Sequence, residues 1–281
     1  MKLGAFEIYP VSDGRFRLDG GAMFGVVPKV LWERCCHADE LNRIPLSLTT
    51  LLVRAKGKNI LVDTGLGSKE GEKFQRMFAV ERTPTMLESL KRLGLGPEDI
   101  HLVINTHLHF DHAGGNTIRG GDGSIRSAFP KARYMIQQRE FEDATRANER
   151  TMASYRTDNF TPIAQIDQWE FLHGDTEVVP GITVVVTAGH TRCHQSVKIQ
   201  SEGETAFFLG DLIPTASHLP LPYIMGYDLS PIQTLETKRW VLNQAFEEQW
   251  LLLFEHDPSV QAGYVRRDQE GKYSLLEVSA W

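Results

Sequence analysis

Seven short runs along the chain are apolar, rich in β-branched residues and bounded by turn-forming residues, which predicts β-strands. The runs are LTTLLV (48–53), NILVD (59–63), HLVIN (101–105), RYMIQ (133–137), ITVVVT (182–187), AFFLG (206–210) and LLLF (251–254). Several of them are apolar at nearly every position, whereas a sheet with one face in water would alternate apolar and polar residues. We therefore expect both faces of the predicted sheets to be covered.

Two segments between these runs carry the start and stop signals of helices. The first starts with Thr83 as a cap and a following proline, repeats leucine at positions 87, 90 and 93, and stops at Gly94. The second pairs Ser230 as a cap with Gln233 as its capping-box partner, around a first-turn proline. Strands that alternate with helices predict an α/β protein. The sequence has no internal repeat, so we expect residues 1–281 to form a single domain.

The composition of the 281 residues narrows the range of partners. Hydrophobic residues make up 41% and charged residues 23%, and the net charge of -6 comes without a lysine or arginine block. That balance argues against nucleic acid as a partner. No apolar run approaches the roughly 20 residues that a membrane-spanning helix needs, so we expect no membrane partner either. The partner that we expect is a small molecule.

The first residues and the cysteines favour the cytoplasm. The start, MKLGAFEIYPVSDGRF, lacks the continuous apolar segment and the cleavage site of a secretory signal. Cys35, Cys36 and Cys193 are odd in number, and the adjacent pair could close only a strained ring, so we expect three reduced thiols. We interpret Cys193 as a small buried thiol rather than a metal ligand. These features predict a cytoplasmic protein.

Side chains that commonly ligate metals follow four of the predicted strands. HLVIN is followed by His107, His109, Asp111 and His112, ITVVVT by His190, AFFLG by Asp211, and LLLF by His256. In α/β sheets ligands bind at the edge where the strands end, because the loops converge there. We therefore expect these seven side chains to meet in one place.

The spacing of the seven donors predicts two metal ions. Side chains at i and i+2 of an extended chain point the same way, so His107 and His109 can share one ion, and a turn into a helix would swing Asp111 and His112 towards a second. The predicted ligands of the first ion are His107, His109 and His190, and those of the second are Asp111, His112 and His256. Asp211 would lie between the ions as a bridging carboxylate. Imidazole with carboxylate suits Zn²⁺ best, with Fe or Mn as alternatives.

The chain resembles the metallo-β-lactamase superfamily of metallohydrolases, in motifs that follow the family's order along nearly the whole sequence. The motifs are VDTG (62–65), THLHFDH (106–112), GHTRCH (189–194), LGD (209–211) and the late His256. The resemblance implies an αββα sandwich, in which two mixed sheets are flanked by helices and the metals lie at one end. It also implies the seven ligand roles given above. Asp63 would steady the ligand loops without touching metal, and we expect His194 to orient a ligand loop in the same way.

The motifs look most like the lactonase-type branch, which opens N-acyl homoserine lactones and related esters. Two departures from that branch stand out. Arg192 and Cys193 replace the usual Pro-Gly of the GHTPGH motif, and Pro214 stands where many acyl homoserine lactonases have a tyrosine. A β-lactamase is disfavoured because the chain has no export signal and offers Asp211 where those enzymes carry a cysteine ligand.

We expect the reaction to be hydrolysis of a carboxylic ester or lactone by a hydroxide that bridges two metals. The metals would form this hydroxide by lowering the pKa of a bound water from about 15.7 towards 7. Asp111 would accept the proton of the nucleophile and pass it to the leaving group. One alternative is a hydroxyacylglutathione-type thioester hydrolase. Organophosphate hydrolysis by the same hydroxide would be a side activity of the enzyme. An alternative of another class is a mononuclear iron sulfur dioxygenase on the same fold.

Two apolar segments are candidates to meet the substrate. Residues 214–228 follow Asp211 directly and contain three prolines, and they either lie over the metals or pack as a flap with their tyrosines in the core. In the first alternative the substrate contacts would be His218, Tyr223 and Tyr227, with Phe110 as a further candidate from the metal motif. Residues 20–45 either wall the pocket or form the contact of a homodimer.

Overall fold

The computed structural model describes residues 1–278, which form strands β1–β16 and helices α1–α8. The strands are β1 Lys2–Leu3, β2 Phe6–Asp19, β3 Arg43–Ala55, β4 Lys58–Val62, β5 Leu102–Ile104, β6 Thr117–Arg119, β7 Ile125–Ser127, β8 Arg133–Gln137, β9 Trp169–Leu172, β10 Thr176–Val179, β11 Ile182–Val186, β12 Gln195–Ser201, β13 Glu204–Phe208, β14 Leu251–Leu253, β15 Ala262–Arg267 and β16 Tyr273–Glu277. The helices are α1 Gly20–Phe24, α2 Lys29–Trp32, α3 Glu72–Met77, α4 Met86–Arg92, α5 Phe110–Ala113, α6 Gln138–Thr145, α7 Thr161–Gln165 and α8 Pro231–Glu247.

Two seven-stranded sheets make up the centre of the molecule. The first has the order β1-β2-β3-β4-β5-β8-β9 and the second runs from β10 to β16 in chain order. Both sheets are mixed, because β4, β5, β8 and β9 pair in parallel in the first and β13 pairs in parallel with β14 in the second. The αββα sandwich of two mixed sheets flanked by helices, which the resemblance implied, is confirmed.

Three apolar layers hold the sandwich together. Between the sheets, side chains of the first, such as Val53, pack against side chains of the second, such as Phe208. On the outer face of the first sheet, α4 contributes Leu90, and on the outer face of the second, α8 contributes Leu242. Both faces of each sheet are thus covered, which explains why the predicted strands are apolar throughout.

All seven predicted strands are present, but the other nine strands were not predicted, and the longest of these is β2. Its sequence, FEIYPVSDGRFRLD, mixes polar residues into the pattern, and its pairing with β3 shifts register between Ser12 and Arg15. A bulge of this kind breaks the alternation on which a strand prediction depends.

Both predicted helices exist, but their caps differ from the prediction. The first begins at Met86 and its cap is Thr85, not Thr83, because Thr85 and Glu88 satisfy each other's backbone N–H groups in a capping box. The second begins at Pro231 as predicted, but Ser230 makes no capping hydrogen bond and the amide of Gln233 donates to Thr237 Oγ1 instead. None of the helices within residues 1–278 combines the length and the hydropathy needed to span a bilayer.

Candidate metal centre

The seven predicted donors lie together where strands of both sheets end. The loop after β5 supplies His107 and His109, and α5, which follows it, supplies Asp111 and His112. The loops after β11, β13 and β14 supply His190, Asp211 and His256. All seven side chains are buried. Buried histidines and carboxylates in such numbers need partners, since each unpaired polar group is costly in an apolar interior.

The donors form the two sets that the spacing predicted. Potential ligand atoms of His107, His109, His190 and Asp211 lie within 4.8 Å of one another, and so do those of Asp111, His112 and His256. In the first set, Nε2 of His190 is 3.1 Å from Nδ1 of His109. In the second, Nε2 of His256 is 3.2 Å from Nε2 of His112. We refer to these as the first and second ligand sets, and the role of their members as metal ligands stays a prediction.

Asp211 lies between the two sets. Its Oδ2 is 3.1 Å from His190 Nε2 in the first set, and its Oδ1 is 3.2 Å from His256 Nε2 in the second. Burial alone would raise the pKa of this carboxyl, but the facing imidazoles hold it well below its usual range. Oδ2 is also 3.5 Å from His112 Nε2 in the second set, so this carboxylate reaches imidazoles of both sets, as a bridge must.

In His107 and His112, a hydrogen bond at Nδ1 leaves the lone pair of Nε2 directed into the centre. Thr106 Oγ1 donates to Asp63 Oδ2 at 2.7 Å, so it accepts from Nδ1 of His107 at 3.0 Å. Nδ1 of His112 donates to Asp63 Oδ2 at 3.1 Å. Both imidazoles therefore carry their proton on Nδ1, which leaves Nε2 free to bind an ion. Asp63 bonds to His112 and, through Thr106, reaches His107, and the supporting role that the resemblance implied for it stays a prediction.

The same arrangement recurs at two further histidines. His190 Nδ1 donates to Asp228 Oδ1 at 2.9 Å, and His256 Nδ1 donates to the backbone carbonyl of Ser47 at 2.8 Å. Burial opposes the charged form of His256, but the charge of Asp211 raises its pKa to about 9, so an ion that binds Nε2 would have to displace a proton there. Asp228 was missed by the sequence analysis, because it comes 38 residues after His190 and follows no predicted strand.

His194 supports the centre without belonging to either ligand set. Its Nε2 accepts the backbone N–H of Asp211 at 3.0 Å, and its Nδ1 donates to Thr187 Oγ1 at 2.8 Å. Both ring nitrogens are therefore used in hydrogen bonds, one of them to the loop of Asp211, and the expected role of His194 in orienting that loop stays a prediction. Its neighbour Cys193 is partly exposed and not buried, which corrects the expectation, and all three cysteines are unpaired.

Glu255 is a second residue that the sequence analysis missed. It is fully buried, and its Oε2 is 3.1 Å from His112 Nδ1, the nitrogen that donates to Asp63. Burial raises the pKa of Glu255 to about 8. Its position directly before His256 at a strand end was the one available signal, and a glutamate beside a histidine is too common to be diagnostic.

A pocket of about 230 Å³ opens over both ligand sets. Its lining residues outside the ligand sets are Leu18, Met23, Phe78, Phe110, Arg150, Thr151, Ala153, Ser154, Met225, Gly226, Tyr227 and Leu229. Phe110 and Tyr227 are thus placed where a substrate contact was predicted, and the contact itself stays a prediction. Burial raises the pKa of Tyr227 to about 12, so its hydroxyl keeps its proton at neutral pH. The lining is apolar with a few polar groups, as small-molecule pockets commonly are.

His218 and Tyr223 do not line this pocket, which corrects their prediction as substrate contacts. His218 is buried, stacks on Phe24 with ring centroids 4.4 Å apart, and bonds to Thr215 Oγ1 and the carbonyl of Met23. Burial lowers its pKa to about 3. Tyr223 packs edge-on against the same Phe24 ring. Apolar sequence around both residues fitted either alternative, and only the packing distinguishes core from pocket.

Residues 20–45 divide between the core and the surface. Phe24 and Trp32 are buried in an apolar cluster beside the centre, and Met23 reaches the pocket. Val26 and Val30 are 92% and 72% exposed. The pocket-wall interpretation therefore applies to Met23, and the dimer contact stays a prediction.

Comparison with known proteins gives a family and a matching solved structure. Residues 44–256 match the family model of the metallo-beta-lactamase superfamily. A crystal structure from Staphylococcus aureus, described as a probable metal-dependent hydrolase, is 31% identical and superposes with a TM-score of 0.92 over 100% of both chains. The resemblance that the motifs predicted is confirmed.

Lactonases are among the other relatives. An N-acyl homoserine lactonase of Bacillus cereus is 33% identical over 174 residues, which are 57% of this chain and 61% of that protein. The chain thus spans about three fifths of the length of this curated relative. AidC, a dizinc quorum-quenching lactonase solved with a product, is 21% identical with a TM-score of 0.82, covering 100% of this chain and 97% of AidC. At that identity the likeness shows a shared fold.

Proposed function

The chain belongs to the metallo-β-lactamase superfamily, and we propose that it is a metal-dependent hydrolase that opens a carboxylic ester or lactone. The observation that carries the proposal is the pair of facing ligand sets, with Asp211 between them, at the floor of a mainly apolar pocket. The B. cereus relative, an N-acyl homoserine lactonase, supports a lactone as the substrate.

The residues of the centre fit two divalent ions, with Zn²⁺ favoured over Fe or Mn. Among the described residues, His107 Nε2 and Asp211 Oδ1 are buried polar atoms without a hydrogen-bond partner. Buried polar atoms are nearly always satisfied, so such atoms within a ligand set indicate a missing ligand. Two ions at these sets would supply a hydroxide at neutral pH and polarise the substrate carbonyl.

The chain's own residues would bind the substrate and move the proton. Asp111 Oδ2 lies 3.8 Å from His256 Nε2 on the ligand side, and the residue also lines the pocket. Its other oxygen, Oδ1, would take the proton of the attacking nucleophile and return it to the departing alkoxide. Phe110 and Met225 would cover the acyl part of the substrate and exclude water around the reacting carbonyl.

The rival activities fit these observations less well. A thioester hydrolase of the hydroxyacylglutathione type needs basic residues for the glutathione carboxylates, and Arg150 is the one lysine or arginine among the described residues that line the pocket. A mononuclear iron dioxygenase needs two histidines and one carboxylate, whereas seven donors meet here. Pro214 in place of the usual tyrosine leaves the acyl group and ring of the lactone to experiment. A single domain, a cytoplasmic location and a homodimer stay predictions.

The test is metal analysis followed by a substrate screen on the purified protein. We expect close to two divalent ions per chain and a higher kcat/KM for lactones than for aryl esters or hydroxyacylglutathione. His109→Ala should lower both the bound metal and the turnover, while the exposed His173→Ala should change neither. A preference for the thioester would overturn the lactonase assignment. Fewer than two ions, with no effect of His109→Ala, would overturn the metal centre.

A further inference from the structure

Glu140 on α6 is a fully buried acidic residue outside both ligand sets. Its Oε1 accepts the backbone N–H of Leu108 at 3.2 Å and the hydroxyl of Tyr155 at 2.9 Å. Its Oε2 accepts the hydroxyl of Thr191 at 2.6 Å. A buried carboxylate costs several kcal/mol unless it is well hydrogen-bonded, and it stabilises a fold less than apolar residues of the same size would. Its presence therefore calls for an explanation other than packing.

The three residues that donate to Glu140 lie on three separate segments, each of which contains or contacts a histidine of the first ligand set. Leu108 stands between His107 and His109, and Thr191 directly follows His190. Distances along the sequence are long, since Leu108 is 32 residues and Thr191 is 51 residues from Glu140. One carboxylate thus connects the loop after β5 with the loop after β11.

The third donor extends this connection to the wall of the pocket. The ring of Tyr155 lies 4.9 Å from the ring of His109, and the two residues form an isolated β-bridge. The neighbouring carbonyl of Ser154 accepts the backbone N–H of Phe110 at 2.9 Å. Residues 150–154, four of which line the pocket, are therefore anchored next to His109 by Tyr155 and Glu140.

We propose that Glu140 is the positioning residue of the first ligand set, and that its two carboxylate oxygens keep the loops of His109 and His190 at the separation at which these imidazoles share one ion. The second ligand set has separate support, because His112 bonds to Asp63 and His256 bonds to Ser47. Glu140 contacts neither of those two histidines. Loss of its hydrogen bonds should therefore weaken one metal site and spare the other.

Two variants separate positioning from packing. Thr191→Val keeps the shape of the side chain but removes the hydroxyl that Glu140 Oε2 accepts, so it cuts only the connection to the loop of His190. Glu140→Gln keeps the size but leaves one accepting oxygen and no charge. Glu142→Gln is the matched control, since Glu142 is exposed on the same helix. Thr191→Val carries the test if Glu140→Gln does not fold.

The measurement is stepwise removal of zinc by a competing chelator, without substrate. We expect Thr191→Val and Glu140→Gln to bind one ion roughly 10–100-fold more weakly, as loss of support for a ligand commonly does, and to keep the affinity of the other. Glu142→Gln should match the wild type. Unchanged affinity for both ions would overturn the proposal, and so would equal weakening of both ions in step with lower stability, because that is the behaviour of a structural residue.

This inference rests on the proposed metal centre but not on the proposed substrate. If lactones are not hydrolysed and yet one ion is selectively weakened, the role of Glu140 stands and the substrate assignment falls. If the wild-type protein binds fewer than two ions, both the centre and the role of Glu140 are overturned.

Discussion

Replacement of Lys238 by methionine should loosen the segment 214–228, which forms part of the pocket wall. Lys238 on α8 is fully buried, and its Nζ donates to the carbonyls of Pro220 at 2.8 Å and Tyr223 at 2.9 Å and to the carbonyl of His218. The segment contains three prolines and no strand or α-helix, so few of its carbonyls have a regular backbone donor. The ammonium supplies the missing donors.

The cost of Lys238→Met follows from the number of carbonyls left without a donor. Pro220 keeps the backbone N–H of Tyr223 at 2.9 Å, so the carbonyls of His218 and Tyr223 lose theirs. At about 1–3 kcal/mol for each unsatisfied buried group, the free energy of unfolding should fall by about 2–6 kcal/mol. Burial also lowers the pKa of Lys238 to about 7, which reflects the cost of the buried charge that methionine avoids. We therefore expect Lys238→Met to lower the free energy of unfolding by about 2–4 kcal/mol in all.

Denaturant unfolding of the zinc-loaded protein at pH 6.5, below the pKa of Lys238, measures this loss while the ammonium is still charged. Lactone kinetics measure its effect on the pocket. We expect the KM to rise more than kcat falls, because Met225 and Tyr227 of the loosened segment line the pocket but not the ligand sets. Lys91→Met is the control, since Lys91 is exposed on α4 and its replacement should stay within about 0.5 kcal/mol. Equal stability and equal KM in the two variants would refute the reasoning.

Three further predictions concern the site and the cluster beside it. Asp111→Asn should lower kcat far more than it raises KM, and wild-type turnover in a variant that still binds both metals would contradict proton transfer by this residue. Trp32→Ala should destabilise the fold by about 3–5 kcal/mol in denaturant unfolding, because Trp32 is buried and stacks on Phe24 at 5.3 Å; a stable variant with a changed oligomeric state would instead favour the dimer contact. Burial lowers the pKa of His218 to about 3 in the fold, against about 6.5 for an exposed histidine. The unfolded state therefore binds more protons between these values, and the free energy of unfolding should fall as the pH drops below about 6.5. By pH 4.5 the loss from this residue should reach about 2–3 kcal/mol, and an equally steep pH dependence of unfolding in His218→Gln would show that other groups cause it.

The sequence by itself determined seven strands of the two sheets and the residue types that meet at the site. The seven predicted strands were recognisable because both of their faces are buried, which demands apolar residues at every position of a short run. The seven donors were recognisable because four of them fall within the six residues 107–112 and the other three follow predicted strands closely. Both signals are local, so no knowledge of distant contacts was needed. The capping of α4 and α8 was predicted less well, because several neighbouring residues can serve as a cap and only the backbone conformation selects one.

Only the tertiary structure decided which residues support the donors and which form the pocket. Asp228 and Glu255 contact histidines of the ligand sets from distant segments, and Glu140 bonds to Thr191 next to His190. In sequence, an acidic residue in a helix or loop resembles any solvent-exposed one. His218 and Tyr227 belong to the same apolar segment, yet one packs in the core and the other lines the pocket. The direction of each side chain depends on the path that this proline-rich segment takes past α8. That path is set by packing and by backbone carbonyls that need hydrogen-bond donors. Neither requirement leaves a periodic pattern in the sequence.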